Sequence, residues 1–299
     1  MRIQIISPAR VEATPGASGK TARLAYGGEA LLNSGIVEDI TATGRDVTGV
    51  SRPALPPEQI TDDPIVNLGR FNRLIADEIV ASAEQDAVSL LVGGTCSHLI
   101  GMFAGLQRVF EATARIGLVW FDAHGDFNTP RTTRSGMLGG MPVATCAGLC
   151  HATWREVAGQ LAPLPTDRIL MVDVRNLDPD EATLIAATDV QIARFGPNGD
   201  PGAIAVAMRA LANRVDHLYV HVDADVLDAS LQPNHPTAEP DGPGLKEIRW
   251  ALIGAMSTRK VRAFGVVSVN PAGPDGPTSL ASGKALLLAG VETWDGLLL

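Results

Sequence analysis

Short apolar runs recur along the chain, each followed by a longer stretch in which apolar residues return every third or fourth position. The runs predict strands at Ile3–Ser7, Ala87–Val92, Ile116–Phe121, Ile169–Val174, Gln191–Phe195, Leu218–Val222 and Ala263–Val269. The periodic stretches predict helices at Gly28–Asn33, Leu68–Glu84, His98–Phe110, Pro179–Ala187, Pro201–Arg214, Leu245–Ser257 and Gly283–Gly290. Strands alternating with helices, and apolar at nearly every position, imply a mostly parallel sheet covered on both faces. Two stretches break the alternation. Val47–Asp63, with Pro53, Pro56 and Pro57, reads as a surface loop, and so does the Pro-rich, polar segment Asp225–Gly244.

Two of the apolar runs end in clustered acids. Ile116–Phe121 leads into Asp122, His124 and Asp126, and Leu218–Val222 into Asp223 and Asp225. Alternate positions of an extended segment project to one side. Carboxylates and an imidazole converging this closely suit a divalent cation, whose charge offsets their repulsion. Ligands of open parallel sheets bind beyond the carboxyl ends of the strands. Two such ends side by side would hold two metal ions.

Composition narrows the partners. The chain has 299 residues, 45% hydrophobic and 19% charged, enough for one large core, and no Ser-, Pro- or charge-rich linker divides it. A single domain over 1–299 is therefore expected. A formal net charge of −9 and a pI near 5.1 argue against nucleic acid or an anionic membrane and favour a small-molecule partner. The apolar run at Met1–Pro8 is too short for a signal segment and no stretch has the length of a membrane span, so a cytoplasmic protein is expected. The three cysteines, Cys96, Cys146 and Cys150, make no even disulfide framework and read as free thiols. Two motifs are decoys. Gly16-Ala-Ser-Gly19-Lys20-Thr21 lacks the first glycine of a phosphate loop, since position 14 is Thr14, and Cys146, Cys150 and His151 have no second ligand pair.

Taken together, Asp122-Ala-His124-Gly-Asp126-Phe-Asn128-Thr-Pro130, Asp223-Ala-Asp225-Val-Leu-Asp228 and Gly93-Gly94-Thr95-Cys96-Ser97 resemble the ureohydrolase superfamily of arginases and agmatinases. The likeness runs from Gly28–Gly35 to Val269-Asn270-Pro271. It implies a three-layer α/β/α fold with a largely parallel eight-stranded sheet and two Mn²⁺ ions at its carboxyl edge. One metal would be held by Cys96, Asp122, Asp126 and Asp223, the other by His124, Asp122, Asp223 and Asp225, with Asp122 and Asp223 bridging. A hydroxide between the metals would attack the trigonal carbon of an amidino group, and Asp126 would carry a proton to the leaving amine. Trimers or hexamers are common in the family, so a homo-oligomer is expected.

The departures from the family pattern carry the finer information. Cys96 stands where the family usually has a histidine. A thiolate suits Zn²⁺ or Fe²⁺ better than Mn²⁺, so the Cys96 site is expected to be weak for manganese, differently loaded or partly filled. The alternative is a neutral Cys96 packed behind the site. Arginases also have a histidine at Gly139 and a glutamate at Ser268, the latter gripping the guanidinium. A hydroxyl cannot replace that bidentate contact.

The opposite end of the substrate keeps the arginase pattern. Asn128, Thr133 and Ser135 match residues that bind an α-carboxylate, and Asp178 stands where the α-amino group is held. The alternative is that Asn128 and Ser135 only cap the loop and helix. An amino-acid grip with an altered reaction end resembles the Nω-hydroxy-L-arginine amidinohydrolase branch, Gly139 leaving room for the added oxygen. Glu239 is a candidate for the carboxylate missing at Ser268 and His235 for the missing proton shuttle, with exposed loop charges as the alternative for both. Arginase, guanidino-acid or formimino-acid hydrolysis, or ligand binding by a catalytically weak homologue, are the competing readings.

Overall fold

The computed structural model describes residues 1–9, 27–111, 113–196 and 199–294. The glycine-rich decoy at 16–21 lies outside them. Eight strands form one sheet: β1 (Arg2–Ile6), β2 (Asp46–Ser51), β3 (Val88–Val92), β4 (Ile116–Phe121), β5 (Ile169–Val172), β6 (Gln191–Ala193), β7 (His217–Asp223) and β8 (Val261–Val267). Their order is β2-β1-β3-β8-β7-β4-β5-β6, and every pairing is parallel. Ten helices accompany them among the described residues: α1 (Gly27–Asn33), α2 (Ile36–Ala42), α3 (Pro64–Glu84), α4 (Leu99–Phe110), α5 (Pro142–Cys146), α6 (Ala152–Ala158), α7 (Pro179–Ala186), α8 (Gly202–Arg214), α9 (Leu245–Met256) and α10 (Gly276–Thr293).

Period-two projection from the strands builds two cores. Ile3, Ile5, Leu90, Val119, Phe121, Val220 and Val222 face one side, where α1, α2, α8, α9 and α10 pack. Ile6, Leu91, Leu118, Trp120, Met171 and Tyr219 face the other, against α3 to α7. Strands apolar on both faces follow directly from this three-layer arrangement. Helix starts are set locally. Asp63 Oδ1 accepts the Ile65 and Val66 amides at 2.8 and 3.3 Å and Pro64 opens α3, while Asp178, Pro179 and Glu181 form a capping box on α7.

The seven predicted strands are present, with ends displaced by two residues at most. The eighth, β2, is a correction: it occupies part of the stretch read as a surface loop. Asp46–Ser51 is an edge strand with one neighbour, half-exposed and carrying Thr48 and Gly49, so it lacks the apolar run of a central strand. The short helices α2, α5 and α6 were also missed, and α10 begins at Gly276 rather than Gly283.

Chain order reverses around the middle of the sheet. The chain passes from β3 to β4 across a gap that β8 and β7 later fill. Four adjacent strands, β3, β8, β7 and β4, therefore deliver their carboxyl ends to one place, as expected at a topological switch point.

Candidate metal centre and substrate rim

Each strand end delivers its residues through a tight turn. After β3, Gly93 and Gly94 take φ of +75° and +85°, and a Cβ on Gly93 would lie 2.3 Å from Gly28 N. The Ser268 amide donates to Gly94 O at 3.0 Å, tying the end of β8 to this turn, and Ser268 itself sits at φ 61°. After β4, the His124 amide donates to Asp122 Oδ1 at 2.6 Å; after β7, the Asp225 amide donates to Asp223 Oδ1 at 3.0 Å.

The side chains meet in a ring. Cys96 Sγ lies 2.7 Å from Asp223 Oδ2, 3.8 Å from Asp122 Oδ2 and 3.9 Å from Ser268 Oγ. His124 Nδ1 lies 3.3 Å from Asp122 Oδ1 and 3.2 Å from Asp225 Oδ2. His235 Nδ1 lies 3.4 Å from Asp225 Oδ2, and its Nε2 lies 3.7 Å from Asp223 Oδ1. Three triads, Cys96–Asp122–Asp223, Asp122–His124–Asp225 and Asp223–Asp225–His235, each hold their donor atoms within 4.8 Å. Every acid belongs to two triads, so six donors close on themselves. Asp126 is buried at φ 46° but belongs to none of these triads.

Electrostatics in the ring favour a cation. Burial, then Asp223 and other nearby acids, push the Cys96 thiol well above its usual range. Burial and then Asp225 raise Asp122 strongly, and the same two causes lift Asp223 to about 6. Asp126 is raised by burial, against the pull of His124. Burial would also raise Asp225, but His235 and His124 hold it below the usual carboxylate range. His124 is lowered by burial yet lifted to about 12 by its hydrogen bonds to Asp122 and Asp225. Acids, thiol and imidazoles packed this tightly, with His235 Nε2 buried and without a hydrogen-bond partner among the described residues, fit divalent metal.

A second layer of polar groups holds the ring. Gly125 leaves space for Glu181, whose Oε1 accepts the Phe127 amide at 2.8 Å; a Cβ on Gly125 would lie 2.8 Å from that oxygen. Arg175 pairs with Asp173 at 3.0 Å and donates to the carbonyls of Asp225, Val226, Leu227, Glu239 and Pro240. The segment that follows β7 is thus gathered onto one guanidinium. Gly242 closes over it, since a Cβ there would lie 2.5 Å from Arg175 Nη2. Thr237 Oγ1 donates to Asp225 Oδ2 at 2.8 Å. Glu181, Arg175 and Thr237 went unread in the sequence; the Asp178-Pro179-x-Glu181 capping-box spacing is a signal that would have found the first.

The arginase family matches residues 29–289. The chain belongs to the arginase family. That membership makes it a hydrolase of linear amidines. It is 26% identical over 277 residues to the arginase of Bacillus caldovelox, covering 89% of this chain and 92% of that one. It is 28% identical over 257 residues to the arginase of Glaciozyma antarctica, covering 81% and 74%. The arginase-family fold is reproduced by the crystal structure of arginase from Bacillus subtilis, with a TM-score of 0.83 at 21% identity over 97% of this chain and 98% of the other. Formimidoylglutamase from Bacillus subtilis superposes with a TM-score of 0.73 at 16% identity, over 98% and 88%.

Within this arginase-family chain the remaining site residues are spread along a rim. Asn128 is buried, donating to Asp178 Oδ2 at 3.3 Å and accepting from Thr132 Oγ1 at 2.9 Å. Its amide donates to Gly140 O at 3.1 Å, which brings the turn at 138–140 alongside. Thr133 and Ser135 serve their own turn: their hydroxyls lie 3.4 Å apart and accept the Gly136 and Met137 amides at 3.0 and 3.2 Å. Gly139 is exposed, with open space where a Cβ would be. Glu239 is partly buried, 3.4 Å from His124 Nε2 and hydrogen-bonded to Asn176 Nδ2. His235 is not the exposed loop charge that its Pro-rich surroundings suggest; its side chain is 2% exposed.

Proposed function

We propose that the protein is a dinuclear-metal amidinohydrolase cleaving a linear C–N bond of a guanidino-type amino acid, Nω-hydroxy-L-arginine or a related modified arginine. What supports the metal reading is the closed ring of donors, with acids raised by burial and by one another. What supports an amino-acid substrate is the Asn128–Asp178 pair beside that ring. Substrate choice turns on Ser268 and Gly139, where the carboxylate and imidazole expected of an arginase are absent.

Cys96, Asp122, Asp126, Asp223, Asp225 and His124 would hold two divalent cations, Mn²⁺ or, at the Cys96 side, Zn²⁺ or Fe²⁺. Such a pair supplies Lewis acidity and a water that ionises near neutral pH. The protein's own groups do the rest. Asn128 receives the α-carboxylate and Asp178 the α-ammonium, setting the side chain's direction toward the ring, while Thr133 and Ser135 shape the turn beside them. Asp126, raised by burial, takes a proton from the attacking water at its carboxylate and hands it to the leaving amine. Glu239, facing the outer nitrogen of His124, fixes that ring and offers a carboxylate to the amidino group. A hydroxylated guanidine is less basic than arginine, so it depends less on the carboxylate absent at Ser268. Gly139 leaves space for its oxygen.

The deciding experiment incubates manganese-loaded protein with arginine, Nω-hydroxy-arginine, agmatine, guanidinobutyrate and formiminoglutamate. Hydroxyurea release from Nω-hydroxy-arginine, at a kcat/KM above that for arginine, is the expected result. Preference for arginine or for formiminoglutamate would replace the substrate. Absence of any turnover by metal-replete protein would leave a ligand-binding homologue. Glu239→Gln should lower kcat/KM for every guanidine, and an unchanged value would remove Glu239 from the site.

A further inference from the structure

His235 reaches the ring from the loop after β7, not from a strand end. Its two nitrogens have different surroundings. Nδ1 lies 3.1 Å from Thr237 Oγ1 and 3.4 Å from Asp225 Oδ2. Nε2 is buried, has no hydrogen-bond partner among the described residues, and faces Asp223 Oδ1 at 3.7 Å. That separation is long for a hydrogen bond. Two donors sharing a cation at about 2.1 Å stand roughly 3–4 Å apart, which it matches.

We propose that His235 is a metal ligand: its Nε2 joins Asp223 and Asp225 on a divalent cation. The inference rests on the ring being a metal centre, and it changes what that centre is. With Cys96 at the position where the resemblance expects a histidine, the family pattern leaves this chain one imidazole, His124. His235 supplies a second from another part of the fold, beside Asp223 and Asp225. The required tautomer carries its proton on Nδ1, directed at Asp225 Oδ2 and Thr237 Oγ1, leaving the lone pair on Nε2. A carboxylate behind a ligating imidazole fixes its ring and raises its basicity. The Thr237 amide, 3.3 Å from Nδ1, favours the other tautomer, and metal binding gives up that long contact. A donor set with one thiolate and two imidazoles also moves preference from manganese toward zinc, iron or cobalt.

The test uses the full chain, stripped of metal and titrated with Co²⁺, as wild type, as His235→Gln and as His217→Gln, a histidine at the far end of β7. The expected result is two equivalents bound by wild type and by His217→Gln. In His235→Gln one equivalent should weaken by about 10²-fold, with a changed visible d–d spectrum. In parallel, ¹⁵N-histidine-labelled wild type is titrated with Zn²⁺ and followed by long-range ¹H–¹⁵N correlation. His235 Nε2 should move to the metal-bound range while Nδ1 stays protonated, and this decides the matter even if His235→Gln fails to fold. Two equivalents with unchanged affinity and spectrum in His235→Gln, or an Nε2 resonance that zinc does not move, overturns the inference alone. A wild type that binds no metal overturns the metal centre with it.

Discussion

The ring and the rim lie side by side yet are built differently. The acids of the ring sit at strand ends or one turn beyond, and the pairing of β3, β8, β7 and β4 fixes where they point. The residues of the rim, from Asn128 to Gly140, lie in a loop whose polar groups largely bond to one another. A site on paired strands inherits the sheet's rigidity, whereas a site on a loop is free to change without cost to the fold. On the proposed function, reaction type would belong to the ring and the grip on the amino-acid end to the rim.

The sharpest way to break that division is at the shared acids. Asp122→Asn should lower kcat/KM by about 10³-fold or more for every amidine, because it removes a donor common to two triads. Retention of substantial activity, measured by urea or hydroxyurea release, would move the chemistry elsewhere. Metal removal comes next. Saturating metal at 100 times its Kd should stabilise the fold by about 2.7 kcal/mol, seen as a rise of roughly 5 °C or more in Tm by calorimetry.

The size of that rise depends on pH. Burial and Asp225 lift Asp223 from 3.8 to about 6, so the metal-free fold holds a proton that the unfolded chain has lost. The associated stability is complete below about pH 3.8 and is lost as pH rises through about 6. The metal-induced rise in Tm should therefore be larger near pH 7.5 than near pH 5, and an equal rise at both would contradict it.

The rim divides again. Asn128→Ala should raise KM for amino-acid substrates by roughly 10-fold or more with little change in kcat. Ser135→Ala should stay within about 3-fold, because that hydroxyl already serves the Met137 amide. Equal effects from the two would mean that the substrate reorganises the loop. The smallest effect lies at the amino end of β7, away from both regions. Burial and the neighbouring Arg262 lower His217 from 6.5 to about 4. Its stability contribution is complete above pH 6.5 and is lost as pH falls through about 4, opposite in direction to Asp223. His217→Gln should flatten the acid limb of a Tm–pH curve by a small amount and leave the metal-dependent limb unchanged.

Much of this was legible in the sequence because burial on both faces makes a strand's residues apolar throughout. β3, β4, β7 and β8 announce themselves, and the acids at their ends stand out against that background. β2 was not legible because an edge strand with Thr48, Gly49 and half-exposed positions has the composition of a loop. The exposed alternative for His235 fails for a related reason. Its neighbours Pro233, Asn234 and Pro236 read as surface, and only the fold brings that segment back over Asp223 and Asp225. The reach of Thr133 and Ser135 into their own turn likewise depends on a backbone path that spacing does not encode.

Arg175 gives the loop after β7 an unusual mechanical character. A segment without helix or strand ordinarily opens a few residues at a time, because each part depends on its own local bonds. Here carbonyls from both ends of the segment, at Asp225 and at Pro240, converge on one side chain, and letting go of it releases them together. The stretch that carries His235 and Glu239 is thereby tied at both ends to the same guanidinium.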